Sequence, residues 1–372
     1  MPGKGLEDVI AAQTSLSDID GKMGRLFYVG YDIHDLAPNC SFEECIFLLH
    51  NLHLPSKAEL DGMNEQLTSE RQISPFIEEL MPVMARQASP MSMLRTTVSA
   101  MSAHDPDGWD NSPEADYRKA IRLIARIPTV IAFYDQLRND REVVRPNPKL
   151  SHAANFLWML TGEEPDAEDA SILDICLVLH ADHTMNASTF AARVCASTLS
   201  DIHSSIVAAI ATLKGPLHGG ANERVMEMLI EIQEPSRTED YIKRRLAAKD
   251  KIMGFGHRVY KTEDPRATHL RRMSEQMAQK RGDSRWYDIS RKVEEVVMAE
   301  KGLYPNVDFF AASVYHYLNI PTDLFTPVFA ASRVSGWSAH VREQHADNRL
   351  IRPESEYIGP RGRAWQPIEE RG

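Results

Sequence analysis

Residues 118–137 read RKAIRLIARIPTVIAFYDQL, and this stretch points most directly to the fold class. It is rich in apolar residues and carries few charges after Arg126, a pattern typical of a helix that is buried on most sides. Pro128 marks a position at which such a helix can kink. Residues 167–180 have the same character, so the middle of the chain predicts buried helices rather than strands.

Serine residues mark helix starts along the first third of the chain. Ser41 and Ser56 each stand three residues before a glutamate, which is the spacing of a capping box, and each opens a run with apolar periodicity. Three further serines stand directly before a proline, as at the first turn of a helix: Ser74, Ser89 and Ser112. Strand-like sequence is confined to one predicted hairpin at Gly24–Asp32. The sequence therefore predicts an all-α fold.

The composition is that of an ordinary globular chain, with 43% hydrophobic and 26% charged residues among 372. That length suits one large domain and one smaller domain. The formal net charge of −11 argues against general binding of nucleic acids or anionic membranes. The segment Lys243–Lys292 is nevertheless basic, with fifteen Lys and Arg against six Asp and Glu. It fits either a site for a small polyanion or a solvated helix face.

Nothing in the sequence predicts export or a membrane anchor. The N-terminal stretch MPGKGLEDVIAAQTS has no long apolar run after its lysine, and no window of about eighteen residues is wholly apolar. The four cysteines have neither the spacing of a metal site nor the density of a secreted disulfide scaffold. We therefore expect a cytoplasmic protein without a membrane partner.

A first motif, HADHTMNAST at residues 180–189, ends the apolar stretch that begins at residue 167. Its histidines, His180 and His183, are three residues apart and share a face of the helix end. Three interpretations stay open. The pair can belong to a metal site, as in a hydrolase, although a third ligand at helical spacing is missing. It can instead cap a buried helix end or bind an anion.

A second motif, GPLHGGANE at residues 215–223, places His218 between glycines just before an apolar helix. Glycine allows close approach of the backbone, and the positive end of the helix disfavours a charged imidazole. A histidine kept neutral in this way can donate a hydrogen bond to a developing oxyanion, as a neutral histidine does in triosephosphate isomerase. The alternative is a glycine-rich hinge that contains an incidental histidine.

A third motif, MGFGHRVYKTEDPR at residues 253–266, has a second histidine behind paired glycines. Its single GxG lacks a preceding strand, so a dinucleotide-binding fold is not supported. The motif lies inside the basic segment, which fits anion binding by His257 and Arg266 or simply a solvated loop.

The fourth motif, YPNVDFF at residues 304–310, places Asp308 among apolar side chains. Partial burial can make this carboxylate a base, or its position in a Pro-Asn-x-Asp turn can make it a helix cap. Arg333 and Arg352, further along the chain, offer planar guanidinium groups suited to carboxylates.

These blocks, in this order, resemble those of the citrate synthase family: HADHTMNAST, GPLHGGANE, GFGHRVYKTEDPR, YPNVDFF and SRVSGWSAHVREQ. The N-terminal DIDGKMGRLFYVGYDIHDLA and the tail NRLIRPESEYIGP are similar too, so the resemblance spans nearly the whole chain. It implies an all-α fold with two domains. The large domain would hold residues 1–217 and 322–372, and residues 218–321 would form an inserted smaller domain.

The resemblance also implies a set of site residues. The family's catalytic trio falls on His218, His257 and Asp308. Its oxaloacetate ligands fall on His183, Arg266, Arg333 and Arg352, and the last reaches the site from a partner subunit, which implies a homodimer. Coenzyme A contacts fall on Gly254, Phe255 and Gly256 and on the Lys261 side chain. No metal or cofactor is implied beyond the coenzyme A thioester that serves as co-substrate.

The implied function is citrate synthesis, in which acetyl-CoA condenses with oxaloacetate and the thioester product is hydrolysed. A 2-methylcitrate synthase, which accepts propionyl-CoA, shares the fold and the trio and stays open, as does a non-catalytic helical relative that binds coenzyme A. Residues 310–312 (Phe-Ala-Ala) vary a stretch that often carries small hydroxylated residues or glycine in the family, which leaves the size of the acyl pocket open. We also expect an open resting form that closes on oxaloacetate, with hinges near residues 215–220.

Overall fold

The computed structural model describes residues 5–6 and 9–371, and helices account for most of them. The strands are Ser17–Asp20 (β1), Arg25–Tyr28 (β2) and Tyr31–Asp32 (β3). The α helices are Ile33–Asn39 (α1), Phe42–Asn51 (α2), Lys57–Ser69 (α3), Pro75–Gln87 (α4), Pro90–Met101 (α5), Pro113–Arg138 (α6), His152–Thr161 (α7), Ala167–His180 (α8), Ala187–Ala196 (α9), Ile202–Leu213 (α10), Ala221–Ile232 (α11), Thr238–Ala247 (α12), Pro265–Arg281 (α13), Arg285–Lys301 (α14), Val307–Tyr317 (α15) and Phe325–Ala346 (α16). The all-α prediction is confirmed.

Part of the N-terminal stretch that was predicted to lack a signal peptide, residues 1–4 and 7–8, lies outside the described residues, as does residue 372. None of the helices in the described part of the chain is long and apolar enough to cross a membrane.

The predicted helix starts are confirmed at residue level. Ser41 and Ser56 each form a complete capping box, in which the serine side chain accepts from the third helical N–H and the glutamate bonds back. Ser74 and Ser112 cap helices that begin with proline. Ser89 also occupies the cap position of such a helix, but its hydroxyl donates to another serine instead of accepting from the helix. These starts are predictable because a cap depends only on residues within one turn.

The core is built around two long buried helices. α6 runs through Pro128 without ending, and α16 is buried along most of its length. The two helices pack against each other, and α4, α5 and α7 pack against α6. One continuous apolar cluster joins these helices to the rest of the chain.

A glycine lets α16 approach the end of α8 closely. A Cβ atom built at Gly336 would clash with the carbonyl oxygen of Ala181, so any other residue would push the two elements apart. The Gly336 N–H also donates to that oxygen at 3.2 Å. Arg333, one turn earlier on α16, is thereby held beside the turn that contains His183.

The small sheet connects the chain start to this region. β1, β2 and β3 form an antiparallel sheet in that order, so the predicted hairpin is present and has one additional strand, Ser17–Asp20. The Tyr28 hydroxyl donates to the Asp182 carbonyl oxygen at 2.9 Å. At the β1–β2 turn, the Gly21 carbonyl oxygen accepts from the Lys261 N–H at 2.8 Å. The sheet therefore contacts two of the four sequence motifs.

The helices of the predicted inserted domain, residues 218–321, are α11 to α15. They pack chiefly on one another, with α13 and α11 against α15 and α12 against α14. Contacts with the rest of the chain run mainly through α1, α8 and α16. The division into two domains at these boundaries stays a prediction.

Candidate active site

Six of the seven residues predicted as the trio and the oxaloacetate ligands line one cleft of about 1070 Å³. They come from separate elements: three turns carry the histidines, and the first turns of α13 and α15 and the middle of α16 carry the charged groups. The six residues are His183, His218, His257, Arg266, Asp308 and Arg333. Sequence positions up to 150 residues apart thus meet at a single site.

Asp308 is the second residue of α15, and the structure decides between its two interpretations. Asn306 is the cap: its side chain accepts from the Asp308 N–H at 3.0 Å. The Asp308 carboxylate is half-buried and accepts no hydrogen bond from the described residues. Burial raises its pKa to about 6, although the charges of Arg266 and Arg333 act in the opposite direction. This carboxylate is therefore available as a base.

The His257 ring is fixed by its own loop. The backbone N–H groups of Val259 and Tyr260 approach Nδ1 at 3.0 and 3.2 Å. Backbone N–H groups can only donate, so Nδ1 accepts and the proton of the neutral ring lies on Nε2. Burial, followed by the charge of Arg266, lowers the pKa of His257 to about 4. The ring is therefore a neutral donor through Nε2 at neutral pH.

His218 has the opposite arrangement of ring nitrogens. Its Nε2 lies 3.3 Å from the Ser188 N–H and 2.8 Å from the Ser188 hydroxyl, which also accepts from the Trp337 ring at 3.1 Å. Because the amide can only donate, the proton of the neutral ring lies on Nδ1. Burial and the charge of Arg333 lower the pKa of His218 to about 4. The expected neutral state is present, and burial is its largest cause.

His183 is the third histidine of the cleft and is almost completely buried. Its Nε2 lies 3.2 Å from the Tyr260 hydroxyl, and its ring packs edge-on against His257. Burial, with the nearby charges of Arg266 and Arg333, holds its pKa well below the usual range. His180 differs: its Nδ1 donates to the Cys176 carbonyl oxygen at 2.6 Å at the buried end of α8, so the helix-cap interpretation fits His180 but not His183. Among residues 5–6 and 9–371, no three His, Cys, Asp or Glu side chains are grouped to hold a metal ion.

The two arginines of the cleft differ in their partners. Arg266 forms a two-point ion pair with Asp264, at 2.9 and 2.7 Å, and this pairing outweighs burial and raises the pKa of Arg266. Arg333 instead donates to the His180 carbonyl oxygen at 2.6 Å and lies 4.5 Å over the Phe329 ring. It forms no ion pair within the described residues, and burial lowers its pKa to about 10. Asp182 and Asp308 raise that pKa from beyond ion-pair distance, so within the described residues the cleft contains a buried cation that no carboxylate contacts directly.

The predicted coenzyme A contacts are only partly in the cleft. Gly256 lines it, whereas the Phe255 ring packs on Phe309 at 4.5 Å. Gly254 has a φ of +81°, and a Cβ there would lie 2.8 Å from Val225, so the position requires glycine. The exposed Lys261 side chain donates to the Arg258 carbonyl oxygen at 3.3 Å. Coenzyme A binding by these residues stays a prediction.

Arg352 is the one predicted ligand that the cleft does not contain. It lies in the exposed tail that follows α16 and does not line the cleft of its own chain.

The chain is similar to known proteins along nearly its whole length. The family model described as "Citrate synthase, C-terminal domain" matches residues 5–354. Citrate synthase 2 of Bacillus subtilis is 51% identical over 99% of this chain and 99% of its own length. The citrate synthase of Haloferax volcanii is 47% identical over 99% and 98%. The chain belongs to the citrate synthase family.

Solved structures and further relatives refine this membership. The citrate synthase of Thermoplasma acidophilum, solved as a ternary complex with carboxymethyl coenzyme A and oxaloacetate, matches with a TM-score of 0.94 at 36% identity over 99% of both chains. The 2-methylcitrate synthase of Shewanella oneidensis is 40% identical over 100% of this chain and 98% of its own. The protein is an acyltransferase of the citrate synthase type, which sets aside the non-catalytic alternative, and the family contains both acyl specificities.

Four residues that hold the cleft of this family member together were not identified from the sequence. Asp264 and Asn306 are helix caps, and Asp264 stands before a proline like the serines that were identified. That shared pattern could have revealed it. Ser188 and Tyr260 bond to histidines that are distant in sequence, and no local pattern indicates such contacts.

Residues 310–312, noted as a departure from the family, do not line the cleft. All three are fully buried, and Phe310 lies under the Arg271 guanidinium group. In this structure they therefore lie outside the lining of the cleft.

Proposed function

We propose that the protein is a citrate synthase, which condenses acetyl-CoA with oxaloacetate and water to give citrate and coenzyme A. One observation carries the proposal. Within the described residues the Asp308 carboxylate has no hydrogen-bond partner, and it shares a cleft with two neutral histidines, His218 and His257, each with one ring N–H that no described residue accepts.

The first step removes a weakly acidic proton from the methyl group beside the thioester carbonyl. Asp308 is ionised at neutral pH, and its raised pKa makes it a stronger base than an exposed aspartate. The thioester oxygen gains charge as the proton leaves. His218, with its proton on Nδ1, donates a hydrogen bond to that oxygen and stabilises the enolate.

In the second step the nucleophilic carbon attacks the ketone of oxaloacetate and forms the new carbon–carbon bond. The ketone oxygen then becomes negative, and His257 donates to it from Nε2. Water finally cleaves the thioester and releases free coenzyme A. These steps use side chains and the two substrates, with no metal or further cofactor.

The charge of the cleft suits the second substrate. Oxaloacetate is a dianion, and Arg333 is a buried cation that forms no direct ion pair within the described residues. A carboxylate there would supply the missing partner. Arg266, oriented by Asp264, and the donor His183 complete the set of predicted ligands within one chain.

The test is thiol release from acetyl-CoA and from propionyl-CoA, each with and without oxaloacetate. Release from acetyl-CoA that depends on oxaloacetate supports the proposal. One methylene group is worth only about 1–3 kcal/mol of discrimination, so propionyl-CoA should react too, but more slowly. A preference for propionyl-CoA would assign the protein to 2-methylcitrate synthesis, and folded protein that releases no thiol would refute both.

We further propose a homodimer in which Arg352 of each chain completes the cleft of the other. The exposed position of Arg352, outside its own cleft, supports this arrangement. Mixing two inactive variants, Arg352→Leu and Asp308→Asn, tests it. After subunit exchange, half of the dimers are mixed and each has one intact site, so about a quarter of the wild-type activity should return. If Arg352 acts within its own chain, no activity returns.

A further inference from the structure

The loop before His257 and the start of α15 are held side by side by backbone contacts. The Asn306 N–H donates to the Gly254 carbonyl oxygen at 2.8 Å, and the Gly256 N–H donates to the Tyr304 carbonyl oxygen at 2.9 Å. Between these two bonds, Phe255 forms an isolated antiparallel bridge with Pro305. Two short segments, each of which continues directly into a proposed catalytic group, are therefore joined.

One side chain adds a bond at each end of this junction. The Asn306 oxygen accepts from the Asp308 N–H at 3.0 Å, and the Asn306 nitrogen donates to the Gly256 carbonyl oxygen at 3.1 Å. A carboxamide carries an acceptor and a donor on one planar group, and a short side chain limits how far the two can move apart. Aspartate would lose the donor, and serine would be too short to reach both partners.

We propose that Asn306 is a positioning residue that sets the His257 donor relative to the Asp308 base. This inference rests on the proposed function, in which His257 acts on the ketone and Asp308 on the methyl group. Gly256 is the direct neighbour of His257, and Asp308 follows Asn306 by two residues, so each bond acts close to a reacting group. A displacement of about 1 Å at such a site can cost about 10²-fold in rate.

Two substitutions of Asn306 distinguish the effects of its two side-chain hydrogen bonds. In Asn306→Ser the hydroxyl can still cap α15, because serine is a preferred cap, but the bond to Gly256 is lost. In Asn306→Ala both bonds are lost. Ser151→Ala is the matched control, since it removes the cap of α7, where the serine accepts from the Ala154 N–H at 3.3 Å.

The measurements are citrate formation at saturating substrates and exchange of acetyl-CoA methyl protons with deuterated solvent in the presence of malate. Malate has a hydroxyl in place of the ketone and cannot condense, so exchange requires Asp308 and His218 but not the attack assisted by His257. Thermal unfolding of each variant is measured alongside. Wild-type protein that shows neither reaction would refute the proposed function itself and is thus distinguishable from failure of this inference.

We expect Asn306→Ser to unfold like the wild type, to lose about 10²-fold in citrate formation and to keep most of the proton exchange. Asn306→Ala should lose both reactions and some stability, whereas Ser151→Ala should lose only stability. The inference is overturned if folded Asn306→Ser forms citrate at the wild-type rate. Equal losses of exchange and condensation in that variant also overturn it, because they would show that the bond to Gly256 has no separate effect on His257.

Discussion

Arg122 and Arg333 are both almost completely buried, yet the pKa of one is raised and that of the other is lowered. Arg122 donates to Asp105 at 2.9 and 2.6 Å and also pairs with Asp107, and these bonds outweigh burial and raise its pKa. Arg333 has a carbonyl oxygen and an aromatic ring instead, and burial lowers its pKa to about 10.

The difference separates a structural cluster of charges from a functional one. The cluster around Arg122, which joins α6 to the loop after α5, is complete within the described residues, since each cation there faces a carboxylate. A buried cation without a partner is costly to maintain. Its presence in the cleft, beside an unbonded carboxylate at Asp308, is explained if an anionic substrate supplies the partner. Four predictions test this contrast.

The largest effect is expected from Asp308→Asn, which removes the proposed base without changing its shape. Turnover should fall by about 10²–10⁴-fold, the usual contribution of a general base. Stability at pH 8 should not fall, because burial already disfavours the charged form, as the pKa of about 6 shows. Thiol release and thermal unfolding measure the two quantities. Asp240→Asn, an exposed first-turn carboxylate of α12, is the control and should leave both unchanged.

Arg122→Met should show the opposite result. It leaves Asp105 without its arginine partner and Asp107 with Arg118 alone, and breaking a buried pair costs about 3–5 kcal/mol of unfolding free energy. KM and turnover of the folded variant should stay at wild-type values. Urea unfolding measures the loss, with Arg118→Met as control: Arg118 also pairs with Asp107, but its side chain is 52% exposed. Arg118→Met should lower the unfolding free energy by less than about 1 kcal/mol. An equal decrease in both variants would contradict the proposed role of burial.

Arg333→Met tests the unpaired cation directly. Loss of a hydrogen-bonded charge partner for oxaloacetate should cost about 1.5–3 kcal/mol, or roughly ten- to hundredfold in its KM. The unfolding free energy should change much less than in Arg122→Met, because the lost charge acts on Asp182 and Asp308 only from beyond ion-pair distance and is replaced by an apolar chain of similar length. The comparison with Arg122 fails if Arg333→Met is destabilised as strongly as Arg122→Met.

The same contrast explains what the sequence could predict. Helix starts such as Ser41 and Ser56 depend on side chains within one turn, and their predictions are confirmed. The helix predicted at residues 167–180 has those bounds in the structure. β1 was missed because its sequence, SDID, is largely polar, although it pairs with β2 across a turn of only four residues.

For the site, the motifs identified the groups that line the cleft, but their states depend on contacts between distant segments. The proton of His218 lies on Nδ1 because of Ser188, thirty residues away in sequence. The bond between Gly21 and Lys261 spans most of the chain. Spacing within a motif cannot reveal such contacts. The roles of Arg352 and Lys261 and the domain boundaries stay predictions.

The smallest effect is a dependence of activity on pH. The pKa of Asp308 is about 6, and the base must be ionised, so kcat/KM for acetyl-CoA should fall about tenfold per pH unit below that value and level off above it. His218 and His257, each with a pKa of about 4, stay neutral from pH 5 to 8. They should therefore add no second change to the pH dependence of kcat/KM in that range.

Stability should respond in the opposite direction over the same range. In the unfolded chain Asp308 ionises near the ordinary aspartate pKa of 3.8, so between that pH and about 6 the folded state binds the extra proton. The contribution of Asp308 to stability therefore falls as pH rises through this window, and Asp308→Asn should remove that component.

The charge of Arg333 lowers the pKa of Asp308, so in Arg333→Met at saturating oxaloacetate the low-pH fall of activity (the activity limb) should move to higher pH. Arg122→Met should leave the limb in place, because Arg122 is not among the charges that act on Asp308. A limb that moves equally in both variants would show that the two clusters are electrostatically coupled and would remove the distinction between them.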